Sequence, residues 1–321
     1  MLELFIGGAP DAGFPDVDQP TTLTLLGDTP PATTYYADGS PIIYDGSNLY
    51  VMSLTDTYKL SMMTRRWTKI SGGTVQQLRY GSRVLDLVRG KAHLIWGYTT
   101  VFIQQAKLYD VATNTFATMP YPSTTTLGRH NQIVIGEIVY LFGGIPANSF
   151  NGARDMNVYY IDPDTQAVVA HGTTNPAVMM VMANSTLGYA NGCIYLTGGT
   201  TRTGNNVANN MTTWRYELAT KTWTQLAAPL FRAHSGTQMP FYKGKFWLLG
   251  EYDTGVSNAG NAVLYSMDPV TGTMTKEIDW FSTMSVRRAG FLFVWDDKMY
   301  RFGPLSGATP TTDLWQLPPI A

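Results

Sequence analysis

The sequence predicts an all-β fold built as an array of like units, and three observations carry that reading. A motif centred on one threonine recurs five times at spacings of roughly 50 residues, the length of a single supersecondary repeat. A column of short apolar strands ending in a small residue recurs six times in step with it. The two chain ends carry pieces of one further unit, with three strand-like stretches at the C-terminus and apolar stretches near the N-terminus. A unit of this length cannot bury its own apolar face, so it has to stack on its neighbours.

The N-terminal part offers Leu2-Glu3-Leu4-Phe5-Ile6 and Thr22-Leu23-Thr24-Leu25-Leu26 as strands. The threonine motif follows at Thr64, Thr113, Thr165, Thr220 and Thr271. An acid or serine sits three residues before it, as Ser61, Asp110, Asp162 and Glu217, with Asp268 in the fifth copy. Such side chains accept hydrogen bonds from amides two residues on and close a turn locally. Pro163 and Pro269 pre-set the backbone angle of two of these turns. Apolar, aromatic strands such as Val158-Tyr159-Tyr160 and Val263-Leu264-Tyr265 precede the turn. Trp67, Phe116 and Trp223 follow it, where a large ring fills the gap between neighbouring sheets.

The second column runs through Leu49–Ser53, Leu94–Gly97, Val139–Gly144, Ile194–Gly199, Phe246–Gly250 and Met299–Gly303. Most copies follow a small turn (Asp45-Gly46-Ser47-Asn48, Asn191-Gly192, Lys243-Gly244, Asp296-Asp297), which reads as a hairpin. The last copy comprises Phe291–Trp295, Met299–Phe302 and Asp313–Leu317, one strand short of the others. An N-terminal strand, with 22–26 favoured over 2–6, is expected to complete it and remove an exposed edge.

This order of apolar strand, Gly-Gly, aromatic strand and Trp-type strand resembles the kelch repeat family over residues 35–317, with Gly-Gly kept in two of six copies. The resemblance implies a six-bladed kelch-type β-propeller of four-stranded blades around a central channel, closed by an N-terminal strand in the last blade. The expected organisation is an N-terminal segment, 1–34, and a single propeller domain, 35–321.

Composition narrows the function classes. Hydrophobic residues make up 44% and charged residues 14%, against a usual ~25%, so surface polarity falls to Thr, Asn, Ser and Gly. A net charge of −1 leaves no basic footprint for nucleic acid or an anionic membrane. No apolar run approaches the ~20 residues of a membrane span. The start, Met1-Leu2-Glu3-Leu4-Phe5, lacks the basic and apolar regions of a Sec signal. The single cysteine, Cys193, lies in an apolar strand and reads as a small buried hydrophobe.

Motifs of catalysis are missing: no Walker loop, Gly-x-Ser-x-Gly elbow, His-Glu-x-x-His or Cys-x-x-Cys occurs. The copper oxidases that share this kind of fold need a Tyr–Cys crosslink with Tyr and His ligands. Here Cys193 is mid-strand and His93, His130, His171 and His234 are dispersed over three blades, with His93 expected in the core. Sialidase Ser-x-Asp-x-Gly-x-x-Trp turns are also missing. No catalytic residue, cofactor or metal site is expected.

Two sets of residues are candidates for binding. Arg79, Arg129, Arg232 and Arg287 each precede the innermost strand of a blade, with His130 beside Arg129 and His234 near Arg232. Converging guanidiniums suit an acidic sugar or acidic peptide, and equally suit bonds to backbone carbonyls of the next blade. The second set is Asn148, Asn151, Asn205, Asn206, Asn209, Asn258 and Asn261, in long loops that follow the second strands and emerge on one face. Their amides both donate and accept hydrogen bonds, which suits sugar hydroxyls or another protein's backbone.

The expected function is a non-catalytic binding or structural propeller within a larger assembly. The expected setting is a bacteriophage virion, in a tail or fibre role of attachment or host recognition, resting on composition rather than on a motif. Its partners would be other proteins of that assembly and a cell-surface glycan, with no nucleic acid and no membrane insertion. Outside a virion the chain is expected in the cytoplasm. The alternatives are a sugar-acting enzyme of the kelch-type mutarotase kind, with its site in the channel, and an intracellular adaptor gripping an acidic peptide there.

Overall fold

Strand-forming residues in alternation, punctuated by tight turns, give six radial sheets. The computed structural model describes residues 24–26, 42–52, 56–71, 84–98, 102–119, 127–128, 130–142, 145–146, 158–172, 185–198, 200–203, 206–209, 212–229, 238–251, 261–279, 291–302 and 314–320. Numbered along the chain, β1 (Thr24–Leu26) comes first but belongs to the last blade.

Blade 1 holds β2 (Ile42–Tyr44), β3 (Asn48–Met52), β4 (Thr57–Ser61) and β5 (Trp67–Ser71), with β6 (Val84–Leu85) added parallel to β2. Blade 2 holds β7 (Leu87–Val88), β8 (Lys91–Tyr98), β9 (Phe102–Asp110) and β10 (Thr115–Thr118). A small ladder of β11 (Leu127–Gly128) and β14 (Ile145–Pro146) flanks blade 3, which is β12 (Asn131–Ile135), β13 (Ile138–Phe142), β15 (Val158–Ile161) and β16 (Val168–Ala170). Blade 4 is β17 (Thr186–Ala190), β18 (Cys193–Thr197), β21 (Thr213–Glu217) and β22 (Thr222–Gln225), with a separate hairpin of β19 (Thr200–Thr203) and β20 (Asn206–Asn209). Blade 5 is β23 (Phe241–Tyr242), β24 (Lys245–Glu251), β25 (Asn261–Met267) and β26 (Met274–Asp279). Blade 6 is β27 (Phe291–Trp295), β28 (Lys298–Phe302), β29 (Leu314–Gln316) and, outermost, β1.

β1 pairs antiparallel with β29, Thr24 opposite Gln316 and Leu26 opposite Leu314. The ring is therefore closed by Thr24–Leu26, the described part of the expected 22–26 stretch. The core is divided among six apolar clusters, one at each blade seam. Leu60 and Met62 of blade 1 meet Phe291 and Tyr300 of blade 6 in the closing seam. Trp67 and Trp223 face the preceding blade, with ring centroids 6.1 Å from Phe302 and from Phe142.

The repeated threonine turns share one geometry. Asp110, Asp162 and Asp268 each accept two backbone amides through Oδ1 at 2.8–3.1 Å, the cap anticipated from the motif. Ser61 Oγ accepts the Thr64 amide at 3.2 Å, and Glu217 accepts the Thr220 hydroxyl at 2.8 Å. The residue after the threonine has a left-handed backbone in all five copies: Arg65, Asn114, Gln166, Lys221 and Gly272, with φ between 57° and 76°. Its amide donates to the carbonyl of the acid or serine four residues back at 2.8–2.9 Å.

That left-handed residue is also where a blade touches its predecessor. The Arg65 guanidinium lies over the Trp295 and Tyr300 rings of blade 6, 4.8 and 5.3 Å from their centroids. Asn114 Nδ2 donates to the Ile70 carbonyl of blade 1 at 2.9 Å, and Gln166 Oε1 accepts from His93 Nε2 of blade 2 at 3.2 Å. A Cβ added to Gly272 would stand 2.6 Å from Leu226 Cβ of blade 4. One conformational device thus closes a turn and keys a seam.

Candidate functional site

Topology decides where binding can sit. The turns between first and second strands and between third and fourth strands lie on one face. Met62, Val111 and Leu218 there donate backbone bonds to Ser47, Gly90 and Gly192. The opposite face receives the connections from second to third strands and from each blade to the next. The register places Asn131, Phe142 and Val158 side by side at that end of blade 3, and Thr186, Thr197 and Thr213 in blade 4. The strand ends that flank the arginine-bearing and asparagine-bearing stretches thus lie on the same face.

Arg79, Arg129, Arg232, His234, Arg287, Asn148, Asn151, Asn205 and Asn258 lie outside the described residues. His130 is described and its ring is buried, 1% exposed, just ahead of β12. It engages groups within the protein. Asn206 and Asn209 fall in β20 and Asn261 opens β25. The stretch 201–210, expected as loop, is therefore largely a β-hairpin. Its Thr- and Val-bearing halves flank Gly204-Asn205, a hairpin signal in the sequence itself.

His93 is buried as expected, and burial lowers its pKa, so it is neutral and donates from Nε2 to Gln166. His171 shares a hydrogen bond with the Tyr216 hydroxyl at 3.0 Å and is ringed by Tyr140, Tyr160 and Tyr216. Burial pushes the Tyr216 hydroxyl up to about 12, which keeps it protonated. Both histidines hold seams. Cys193 is buried, with its thiol pKa raised by burial. Among the described residues no group of three or more His, Cys, Asp or Glu could hold a metal ion, and no helix is long and apolar enough to cross a membrane.

The axis holds a polar pair that no sequence motif marks. Gln238 Nε2, at the start of blade 5, donates to Asp86 Oδ2, at the start of blade 2, at 2.7 Å. Blades 2 and 5 stand opposite in a ring of six, so this bond crosses the channel. Asp86 also accepts the Val134 amide of blade 3. Asp86 is partly exposed, as a group lining a channel is. Burial raises its pKa, and the bonds from Gln238 and Val134 oppose that only in part. The signal was present in the sequence, since Val84-Leu85-Asp86-Leu87-Val88 sets one acid inside an apolar strand.

These features define the class as a six-bladed β-propeller whose channel is spanned by polar side chains. No protein-family model matches the chain, and no curated protein matches it by sequence. Among solved structures, that of YjhT superposes with a TM-score of 0.72, covering 90% of this chain and 96% of its own at 13% identity. A likeness at that identity is one of fold.

Proposed function

We propose that this propeller binds rather than catalyses, as a kelch-type structural or attachment component of a larger assembly, with a bacteriophage tail or fibre as the setting. The observation that carries the reading is the Asp86–Gln238 bond across the axis. A side-chain bridge across the axis takes up channel space that a substrate would need, which favours recognition on the loop face. Long connections on a rigid scaffold are where binding residues concentrate. The low charge of the chain favours neutral partners, either proteins or glycans. Recovery from the native source at endogenous level, with co-purifying proteins identified by mass spectrometry, tests this. Stoichiometric capsid, tail or scaffold proteins are expected, and recovery free of any other protein refutes the reading.

One observation favours a second reading, a sugar-acting enzyme of the mutarotase kind. Asp86 is a carboxyl whose surroundings favour its protonated form, which is what a general acid requires. Anomeric exchange of an acidic sugar, followed by NMR and abolished in Asp86→Asn, would establish that alternative and displace the first.

A further inference from the structure

The face that carries the first–second and third–fourth turns has an apolar centre. Leu87, Val134, Tyr189, Phe241 and Val294 each stand one residue from the turn end of the innermost strand, in blades 2 to 6. All five are at least partly exposed, Tyr189 at 38% and Phe241 at 41%. Innermost strands line the channel, so these residues form an apolar collar at its mouth on the turn face. The far ends of the same strands are polar instead, with Asn131 and Gln132 in blade 3 and Thr186 in blade 4, and those side chains are buried. Five large apolar side chains are exposed among the described residues. Met63 and Val270, in third–fourth turns, share the face of Tyr189 and Phe241, and Val169 alone lies elsewhere. Exposed apolar surface rimmed by polar groups marks a site of association.

The rim is charged, and the order of its charges around the ring points to the occupant. The first–second turns carry Asp45 in blade 1, Arg89 and Lys91 in blade 2, Glu137 in blade 3, and Lys243 and Lys245 in blade 5. Blade 6 carries Asp296 and Asp297, followed by Lys298, and Asn191-Gly192 of blade 4 has no charge. A second copy laid face to face by a twofold axis runs its blades in the opposite sense, so one register fixes every pair of facing turns. With blade 5 on blade 6, blade 2 falls on blade 3 and blade 1 on blade 4. Basic turns then meet acidic ones, and Asp45 meets the uncharged turn. Every other register that sets blade on blade opposes like charges: Asp45 on Asp45, Glu137 on Glu137, Arg89 on Arg89, Asp45 on Asp296, or Glu137 on Asp296. Arg89 already lies 2.6 Å from Glu137 in its own copy, and the favoured register extends that pair into a network.

We propose that two copies of this chain dock through their turn faces, collar against collar, with blade 5 of each copy over blade 6 of the other. The collar supplies apolar burial, and the charged rim sets the register. Both loop faces then point outward in opposite directions. The inference stands independently of the partner proposed above.

The test is analytical ultracentrifugation of the full chain over a wide concentration range, with three variants whose folding is checked by thermal melting. The double variants Lys243→Glu with Lys245→Glu and Asp296→Lys with Asp297→Lys each reverse one side of the contact between blades 5 and 6. Tyr189→Glu places a charge in the collar. The wild type is expected to dimerise with rising concentration, and each variant alone to raise the dissociation constant more than about ten-fold. The two charge variants mixed in equal amounts should form a heterodimer of near wild-type strength, because reversed turns then face each other and unaltered turns pair as before. Should either charge variant fail to fold, Tyr189→Glu, at an exposed position, decides alone. A wild type monomeric throughout overturns the proposal and leaves the face to a different protein. Dimerisation of wild-type strength in any variant, or folded charge variants whose mixture fails to associate, overturns it equally.

Discussion

Gly272 is the point where the repeated turn and the blade seam make opposing demands, and Gly272→Ala separates them. The backbone there has φ +76°, and a non-glycine residue in the left-handed region costs about 1–2 kcal/mol. Arg65, Asn114, Gln166 and Lys221 accept that cost at the same position of other blades. At Gly272 a Cβ would also lie 2.6 Å from Leu226 Cβ and 3.1 Å from the Ala227 amide nitrogen. The Ala227 amide is held by its bond to the Thr271 carbonyl at 3.1 Å, so the backbone yields little. Forcing a methyl into packed space costs about 1–3 kcal/mol. The sum is roughly 2–5 kcal/mol, a large part of a typical folding stability. Gly46→Ala is the control, because Gly46 has φ +87° with nothing within 4 Å of the added carbon. Urea unfolding followed by tryptophan fluorescence compares the two at unchanged m. Gly272→Ala should lower the midpoint clearly more than Gly46→Ala. Equal losses would refute the argument that the left-handed residue keys the seam.

Three further outcomes follow from particular groups. Arg65→Ala removes a guanidinium from two rings and should cost about 1 kcal/mol at the closing seam, while Arg66→Ala, one residue on and exposed, should cost little; equal chemical-unfolding midpoints for the two would contradict this. The Asp162 carboxyl is held below its usual range by the Thr165 and Asp164 amides, so its contribution is present above the unfolded-state value near 3.9 and lost as pH falls through the folded one. Asp162→Ala should therefore be less stable than the wild type at pH 7 and converge with it in strong acid, as read by melting at both pH values. Asp86 is shifted the opposite way, so its folded state favours the proton and its stability declines as pH rises through the raised value. The stability of Asp86→Asn relative to the wild type should rise between pH 4 and pH 8, and a difference that does not vary with pH would exclude a shifted Asp86.

Much of the architecture was legible in the residues. The threonine turns, their acid caps and the closing strand at 22–26 all depend on interactions within a few residues or on a repeat that can be counted. The β19–β20 hairpin reads as loop in the sequence because Thr, Asn and Gly dominate 201–210. The candidate site was less legible. Asp86 and Gln238 are far apart in sequence, and neither belongs to a recurring column, so their meeting depends on ring closure.

The sequence by itself determined the unit and its number, because turn chemistry and strand alternation are local and each copy repeats them. Only the tertiary structure decided what the units do to one another. Side chains such as Arg65, Asn114 and Gln166 acquire partners when their blade docks on its predecessor, and Asp86 acquires Gln238 when the ring brings opposite blades to one axis. Seams and axis are contacts between distant segments, and their geometry exists once all six sheets are in place.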